Sequence, residues 1–349
     1  MGYARKNTFA VCCRLKHMRN GKISAAVHDR CIRNQMRHAG MEADPGAVPG
    51  TSVRSIGGRL DPTPEMILTE AVGRLGTGSI SREGYSVGIT LQLLLAQNTQ
   101  EEQLHAVMER ILKFCAQNGL DLLHADAAVG DTLTGDVLSV TAFRTDTGSE
   151  KGVLLPGSDL YMAGYTALAG TGIVSCAAKE QLSSRFPSVM VEKGISFLKE
   201  GSLLLPLPEG CLKVWPVQEG GILAALWDLG EYWNVGLDID LRAVPVRQET
   251  IEICDHLQIH PYQLFTCGAC LFTLPPGTGE LPDIRTEGGY KIPVAQIGKV
   301  TAQKARILHS GEEVRYLDKP AQDSLYVLCS TNINDDLEMQ ERIGADKLL

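Results

Sequence analysis

The chain has 349 residues, 44% of them hydrophobic and 21% charged, with a net charge of −8. That length suits two domains better than one core, and the composition excludes a chain disordered throughout. The negative balance argues against nucleic acid as the main partner, and no run approaches the roughly 20 apolar residues that span a bilayer, so a cytoplasmic protein is expected.

Residues 1–17 lack the apolar centre of a signal peptide and lack helical periodicity; they read as a weakly ordered extension. Residues 1–40 hold nine Lys/Arg against one acid, Asp29. This is either a solvated basic end or an arm that touches an anionic partner. A helix is expected over 24–38, capped by Ser24 and ended by Gly40. Residues 40–82 are rich in Gly, Pro, Ser and Thr, and Asp61-Pro62-Thr63-Pro64 predicts a turn before a short helix over 65–75. Residues 86–96 alternate, with Val87, Ile89, Leu91, Leu93 and Leu95 on one face of an expected strand. Thr99 then starts an expected helix, with Glu102 at the capping-box spacing. Its apolar stripe is Leu104, Val107, Met108, Ile111 and Cys115, and Asn118-Gly119 closes it. Strands at 120–123 and 136–144 complete the order strand, helix, strand, strand, which suits an α+β sheet with a helix on one face.

A polar, glycine-rich stretch at 145–156 marks the expected boundary between an N-terminal domain, 18–150, and a C-terminal domain, 151–331. Beyond it are expected a strand at 159–163 and a helix over 166–184 that is dense in small residues. Gly220-Gly221 opens a helix over 222–233, followed by a strand at 237–241 and a helix over 246–257 with Ile251, Cys254 and Leu257 inward. Further strands are expected near 270–273, 294–300, 305–308 and 324–328, and the polar tail 332–349 should fray. Cys267-Gly-Ala-Cys270, with His256 and His260 upstream, leaves three readings open: a metal site, a redox dithiol, or packing on a turn and strand. The phosphate-loop, G-x-S-x-G and H-E-x-x-H motifs are absent from the sequence.

Two stretches resemble the superfamily of aminoimidazole-ribonucleotide (AIR) synthase and the hydrogenase maturation factor that makes a cyanide ligand from carbamoyl phosphate. In residues 218–241 and 245–254 a Gly-Gly helix, a glycine-then-acidic strand and a Pro245-Val246-Arg247 helix start follow one another in the family's order. Residues 88–144 are similar in layout to its strand, Thr-started helix and two further strands, and Ile297-Gly-Lys-Val300 to its late strand. The resemblance implies an α+β (α/β) fold of two domains, the N-terminal sheet domain forming a barrel across a homodimer and the C-terminal α/β domain beside it. It also implies ATP and magnesium between the domains.

The departures bear on activity. Where the family has His-Asp-x-Thr-x-Gly-Gly, this chain has Trp215-Pro-Val-Gln-Glu-Gly-Gly221, which keeps Glu219, Gly220 and Gly221. The N–H groups of Gly220 and Gly221 either hold a phosphate or form a tight strand-to-helix turn. Of the family's Gly-Gly-His-Thr-Glu only His124 and a substitute acid, Asp126, are present, and His124 is either a ligand or base or a structural hydrogen-bonder. The family's Asn-Glu-Gly is Thr266-Cys267-Gly268 here, and Asp61 is the one substitute for its magnesium-holding aspartates. The terminal Pro-Arg-Ile-Cys of the maturation factor is absent; Cys329, the last cysteine, lies 20 residues from the end. The resemblance thus leaves His124, Asp126, Asp131, Glu219, Gly220 and Gly221 as the expected cofactor-binding set. Magnesium with a nucleotide needs carboxylate and phosphate oxygens together. The expected function is therefore a catalytically reduced member that binds a small molecule or a partner protein. The alternative is an active ATP- and magnesium-dependent enzyme using His124, Asp126, Asp131 and Glu219.

Overall fold

A computed structural model describes residues 31, 32, 34, 51–57, 64–73, 75, 87–133, 135–144, 154–205, 211, 213–274, 281–286 and 289–326. The expectations for 1–17, most of 24–38, Asp61, 145–153, Cys329 and 332–349 lie outside these residues. All elements below belong to the unit Ala43–Leu349.

The first half is built from β1 (Thr51–Gly57), α1 (Pro64–Gly73), β2 (Val87–Ala96), α2 (Glu101–Gln117), β3 (Leu120–Gly130) and β4 (Val137–Arg144), with the strands in the order β1-β4-β2-β3. Val87, Ile89, Leu91, Leu93 and Leu95 are all buried, as the alternation of β2 predicts, and they pack against Ile67 and Leu68 of α1 and Val107 and Ile111 of α2. Each fully buried aliphatic side chain of this kind contributes about 1.5–3 kcal/mol. The start of α2 differs from expectation. The Asp136 carboxylate accepts the Thr99 hydroxyl at 2.5 Å and the Ala96 N–H at 2.8 Å, so Thr99 is committed to the β3–β4 loop. Gln100 caps the helix instead, its N–H donating to Gln103 Oε1 at 3.0 Å. Strand β3 runs parallel to β2 and reaches Gly130, well beyond the expected 120–123.

The second half holds β5 (Asp159–Ala163), α3 (Leu168–Ala177), α4 (Lys179–Arg185), α5 (Ser188–Glu200), β6 (Lys213–Pro216), α6 (Gly221–Trp233), β7 (Gly236–Asp240), α7 (Gln248–His256) and β8 (Cys270–Thr273). It continues with the short hairpin β9 (Ile284–Arg285) and β10 (Lys291–Ile292), then β11 (Val294–Thr301), β12 (Arg306–Ser310) and β13 (Glu313–Tyr316). Seven of these strands form one sheet, β13-β12-β7-β11-β5-β8-β6, in which only the β12–β7 pairing is parallel.

Three expectations are corrected here. The helix expected over 166–184 breaks at Ala178 into α3 and α4. Helix α5 and strand β6 have no counterpart among the expected elements. Ile251 is 40% exposed, whereas Thr250, Ile253 and Cys254 are buried. The inward face of α7 is rotated because Thr171 Oγ1 of α3 donates to Thr250 Oγ1 at 3.0 Å, which lets a threonine take the core position. Residues 324–326 make a helical turn rather than a strand. Among the described residues no helix is long and apolar enough to cross a membrane.

Candidate functional site

A small crevice with a cavity volume of about 40 Å³, partly open to solvent, lies between α1 and the second sheet, with Thr69, Glu70, Pro216, Gln218, Cys267 and Cys270 in its wall. Its wall is mostly apolar, with a few placed polar groups, and its volume is well below the roughly 300 Å³ at which small-molecule pockets begin. Thr69 Oγ1 donates to the Ser202 carbonyl at 2.6 Å, and Gln218 Nε2 donates to the Glu70 carbonyl at 2.7 Å. The carbonyl of Gln218 in turn accepts the N–H groups of Gly221 at 3.0 Å and Thr266 at 3.2 Å. Gln218 therefore ties α1 to the start of α6.

Both cysteines of the crevice are buried, and Cys267 Sγ donates to the Met66 carbonyl at 3.6 Å. Burial, with Cys211 nearby, pushes the Cys270 thiol far up, away from the thiolate that metal binding and thiol exchange require. His256 packs edge-on against Phe186, and His260 Nδ1 accepts the Tyr262 N–H at 3.2 Å. Among the described residues no group of three or more His, Cys, Asp or Glu is set to hold a metal ion. Of the three readings of Cys267 and Cys270, this geometry supports packing.

The start of α6 is left-handed at both glycines, φ +82° at Gly220 and +64° at Gly221. A Cβ on Gly221 would lie 2.6 Å from the Tyr262 carbonyl oxygen, so only glycine fits this turn. The Gly220 N–H donates to Asp323 Oδ2 at 2.5 Å. Asp323 Oδ1 also accepts the N–H groups of Leu325 at 2.8 Å and Phe265 at 3.1 Å. Asp323 is 3% exposed. Burial pushes its carboxyl up to about 6, against the pull of the three N–H donors, and the charge of Glu219 adds to the rise. The positive end of α6 is thus occupied by a carboxylate of the chain itself. With the Gly221 N–H taken by Gln218, the two N–H groups expected to hold a phosphate are both engaged, and a phosphate at Gly220 would have to displace Asp323.

The remaining expected residues lie on or beside the edge strand β3. His124 and Asp126 are in register with Thr90 and Gln92 of β2, on the sheet face turned away from the buried Ile89, Leu91 and Leu93. Both are exposed, and Asp126 Oδ1 accepts the N–H of Ala127 at 2.9 Å. Asp131 is exposed just past the strand. Within the single chain the two glycine N–H groups are engaged, and among the described residues no three carboxylates, histidines or cysteines are gathered around one point. Asp323 was not among the expected residues, because it lies 103 positions from the glycine it caps and no local spacing signals the pair.

No protein-family model and no curated protein matches the chain. Solved structures do match it. A HypE–HypF complex aligns with a TM-score of 0.62 at 15% identity, over 84% of this chain and 98% of that one. The hydrogenase maturation protein HypE in complex with ATP aligns with a TM-score of 0.60 at 15% identity, over 88% and 98%. Thiamine monophosphate kinase from Aquifex aeolicus aligns with a TM-score of 0.56 at 14% identity, over 80% and 96%. At these identities the likeness is one of fold, and the fold is the AIR-synthase-like one that the sequence resembles.

Proposed function

We propose, on the premise of the AIR-synthase-like fold, that this chain is a catalytically reduced member that binds a small molecule or a partner protein in the cytoplasm and acts as a homodimer. The reading rests on Asp323. A carboxylate seated on the Gly220 N–H takes the place where the resemblance puts a phosphate. The thiol of Cys267, where the family has an acid, is turned to a backbone carbonyl and offers no hard oxygen to magnesium.

The homodimer is supported by β3. Among the described residues β3 is the outer strand of its sheet, and it exposes Leu123 (59%) and Val129 (66%), a surface that native proteins cover or pair. Calorimetric titration with ATP, with and without magnesium, on protein shown by light scattering to be a folded dimer, tests the whole reading. No binding of either form is expected; robust magnesium-dependent ATP turnover, or a monomer in solution, overturns it.

The second reading is an active ATP- and magnesium-dependent enzyme using His124, Asp126, Asp131 and Glu219. It is favoured by the HypE structure solved with ATP, and by the open sheet face of β3, where a second copy could bring further carboxylates. Under this reading Asp126→Ala abolishes turnover while the dimer stays folded.

A further inference from the structure

Two helices of the second half begin side by side. The Thr166 N–H donates to the Pro245 carbonyl at 2.9 Å, and one turn on Thr171 Oγ1 donates to Thr250 Oγ1 at 3.0 Å. The same offset between partners at both links means that α3 and α7 run parallel, with their N-terminal ends together. Neither N-cap residue, Ala167 or Arg247, caps its helix with its own side chain, although the Ala167 N–H donates to Thr266 Oγ1 at 2.7 Å and the Gly170 N–H to the Phe265 carbonyl at 2.9 Å. Ala167 is held at φ +61°, a left-handed conformation costing an alanine about 1–2 kcal/mol, and such strain concentrates at binding sites.

A cation at the positive end of a helix is unfavourable by itself. Arg247 is nevertheless fixed there, its Cζ 5.1 Å from the Tyr165 ring centroid and 5.5 Å from that of Phe197. The stacking orients a planar fork that makes no hydrogen bond among the described residues; its nearest acid is Glu249, at a loose 3.8 Å. Arg247 Nε is buried without a hydrogen-bond partner, and so is the hydroxyl of Thr166, a residue with no exposed surface. Buried polar atoms are almost always paired, so an unpartnered Nε on Arg247 and an unpartnered hydroxyl on Thr166, the residue before the α3 N-cap, point to an acceptor at these helix starts. Two helix ends at about half a positive charge each, plus the guanidinium, less Glu249, leave about one net positive charge. The guanidinium edge is partly open, with the Arg247 side chain 29% exposed.

We propose that the paired start of α3 and α7, with Arg247 across it, is a receptor for a phosphoryl oxyanion. The fork of Arg247 takes two oxygens, and the N-terminal ends of α3 and α7 add positive potential around them. The start of α3 is tied through Phe265 and Thr266 to Asp323 and Gln218, but phosphate binding at Arg247 does not depend on whether the chain turns over ATP.

The test is titration of the full chain with inorganic phosphate, followed by calorimetry and by ³¹P NMR. Saturable binding is expected, weakened at least tenfold by Arg247→Gln and several-fold by Arg247→Lys, whose ammonium lacks the fork. Thr166→Val separates a binding role from a structural one. If the hydroxyl serves the ligand, this variant folds at least as stably, since a buried unpaired hydroxyl is gone, yet binds phosphate more weakly. Absence of saturable binding by the parent protein, or equal affinity in a folded Arg247→Gln protein, overturns the proposal. Neither result bears on the ATP titration, so the two readings fail separately.

Discussion

The start of α6 and the paired start of α3 and α7 solve the same electrostatic problem in opposite ways. Each presents a positive helix end inside the protein. At α6 the chain supplies the counter-charge, bringing Asp323 from 103 residues away onto the Gly220 N–H. At α3 and α7 the chain adds a further cation, Arg247, and leaves its Nε and the Thr166 hydroxyl without acceptors. A glycine pair therefore marks a helix start and its backbone conformation. Whether that start receives a ligand depends on what the rest of the chain has already placed there.

The strongest way to break this contrast is Asp323→Ala. It strands three N–H donors, of Gly220, Phe265 and Leu325, and should cost about 2–4 kcal/mol in urea unfolding. The cost should depend on pH. The Asp323 carboxyl titrates at about 6 in the fold against 3.8 when free, so the folded protein takes up this proton first. Ionised Asp323 is thus a burden above pH 6 that is relieved as the pH falls from 6 toward 3.8, by at most about 3 kcal/mol. The deficit of Asp323→Ala relative to the parent should accordingly be larger at pH 4.5 than at pH 8. A deficit independent of pH would mean that the carboxylate is not held at the desolvated α6 terminus.

A smaller effect is expected from Gly221→Ala. The new methyl would sit 2.6 Å from the Tyr262 carbonyl oxygen and 2.8 Å from that of Leu264, at φ +64°. Together these should cost about 1–3 kcal/mol, lowering the thermal midpoint while leaving phosphate binding at Arg247 unchanged. A loss of phosphate binding in the folded variant would join the two helix starts into one site and remove the contrast.

What the sequence revealed follows the same physical division. The hydrophobic pattern reports burial, so β2 and the buried stripe of α2 were legible in outline from Val87 to Cys115. The end of β3 was not, because residues 123–129 are exposed on both faces and carry no alternation to read. Gly220 and Gly221 were legible as a helix start, since their left-handed conformation admits little else. Their occupant was hidden, because the Asp323 contact exists only in three dimensions. Arg247 was read as part of a family motif, and its stacking between Tyr165 and Phe197, from two other segments, has no signature in local spacing.

The smallest expected effect concerns the helix that carries Arg247. Periodicity alone turns Ile251 inward, whereas the Thr171–Thr250 bond turns it out to 40% exposure. Ile251→Glu should therefore change stability by less than about 0.5 kcal/mol, as surface substitutions do. Ile253→Ala, at a position 1% exposed, should cost about 2–5 kcal/mol. The ratio of the two urea-unfolding effects reads the rotation of α7 about its axis. That rotation matters to the anion receptor, because the turn that sends Ile251 outward also sets Thr250 against α3 and holds the two helix starts together beneath Arg247. Equal penalties for the two variants would put Ile251 in the core, break the Thr171–Thr250 link and separate the paired N-terminal ends.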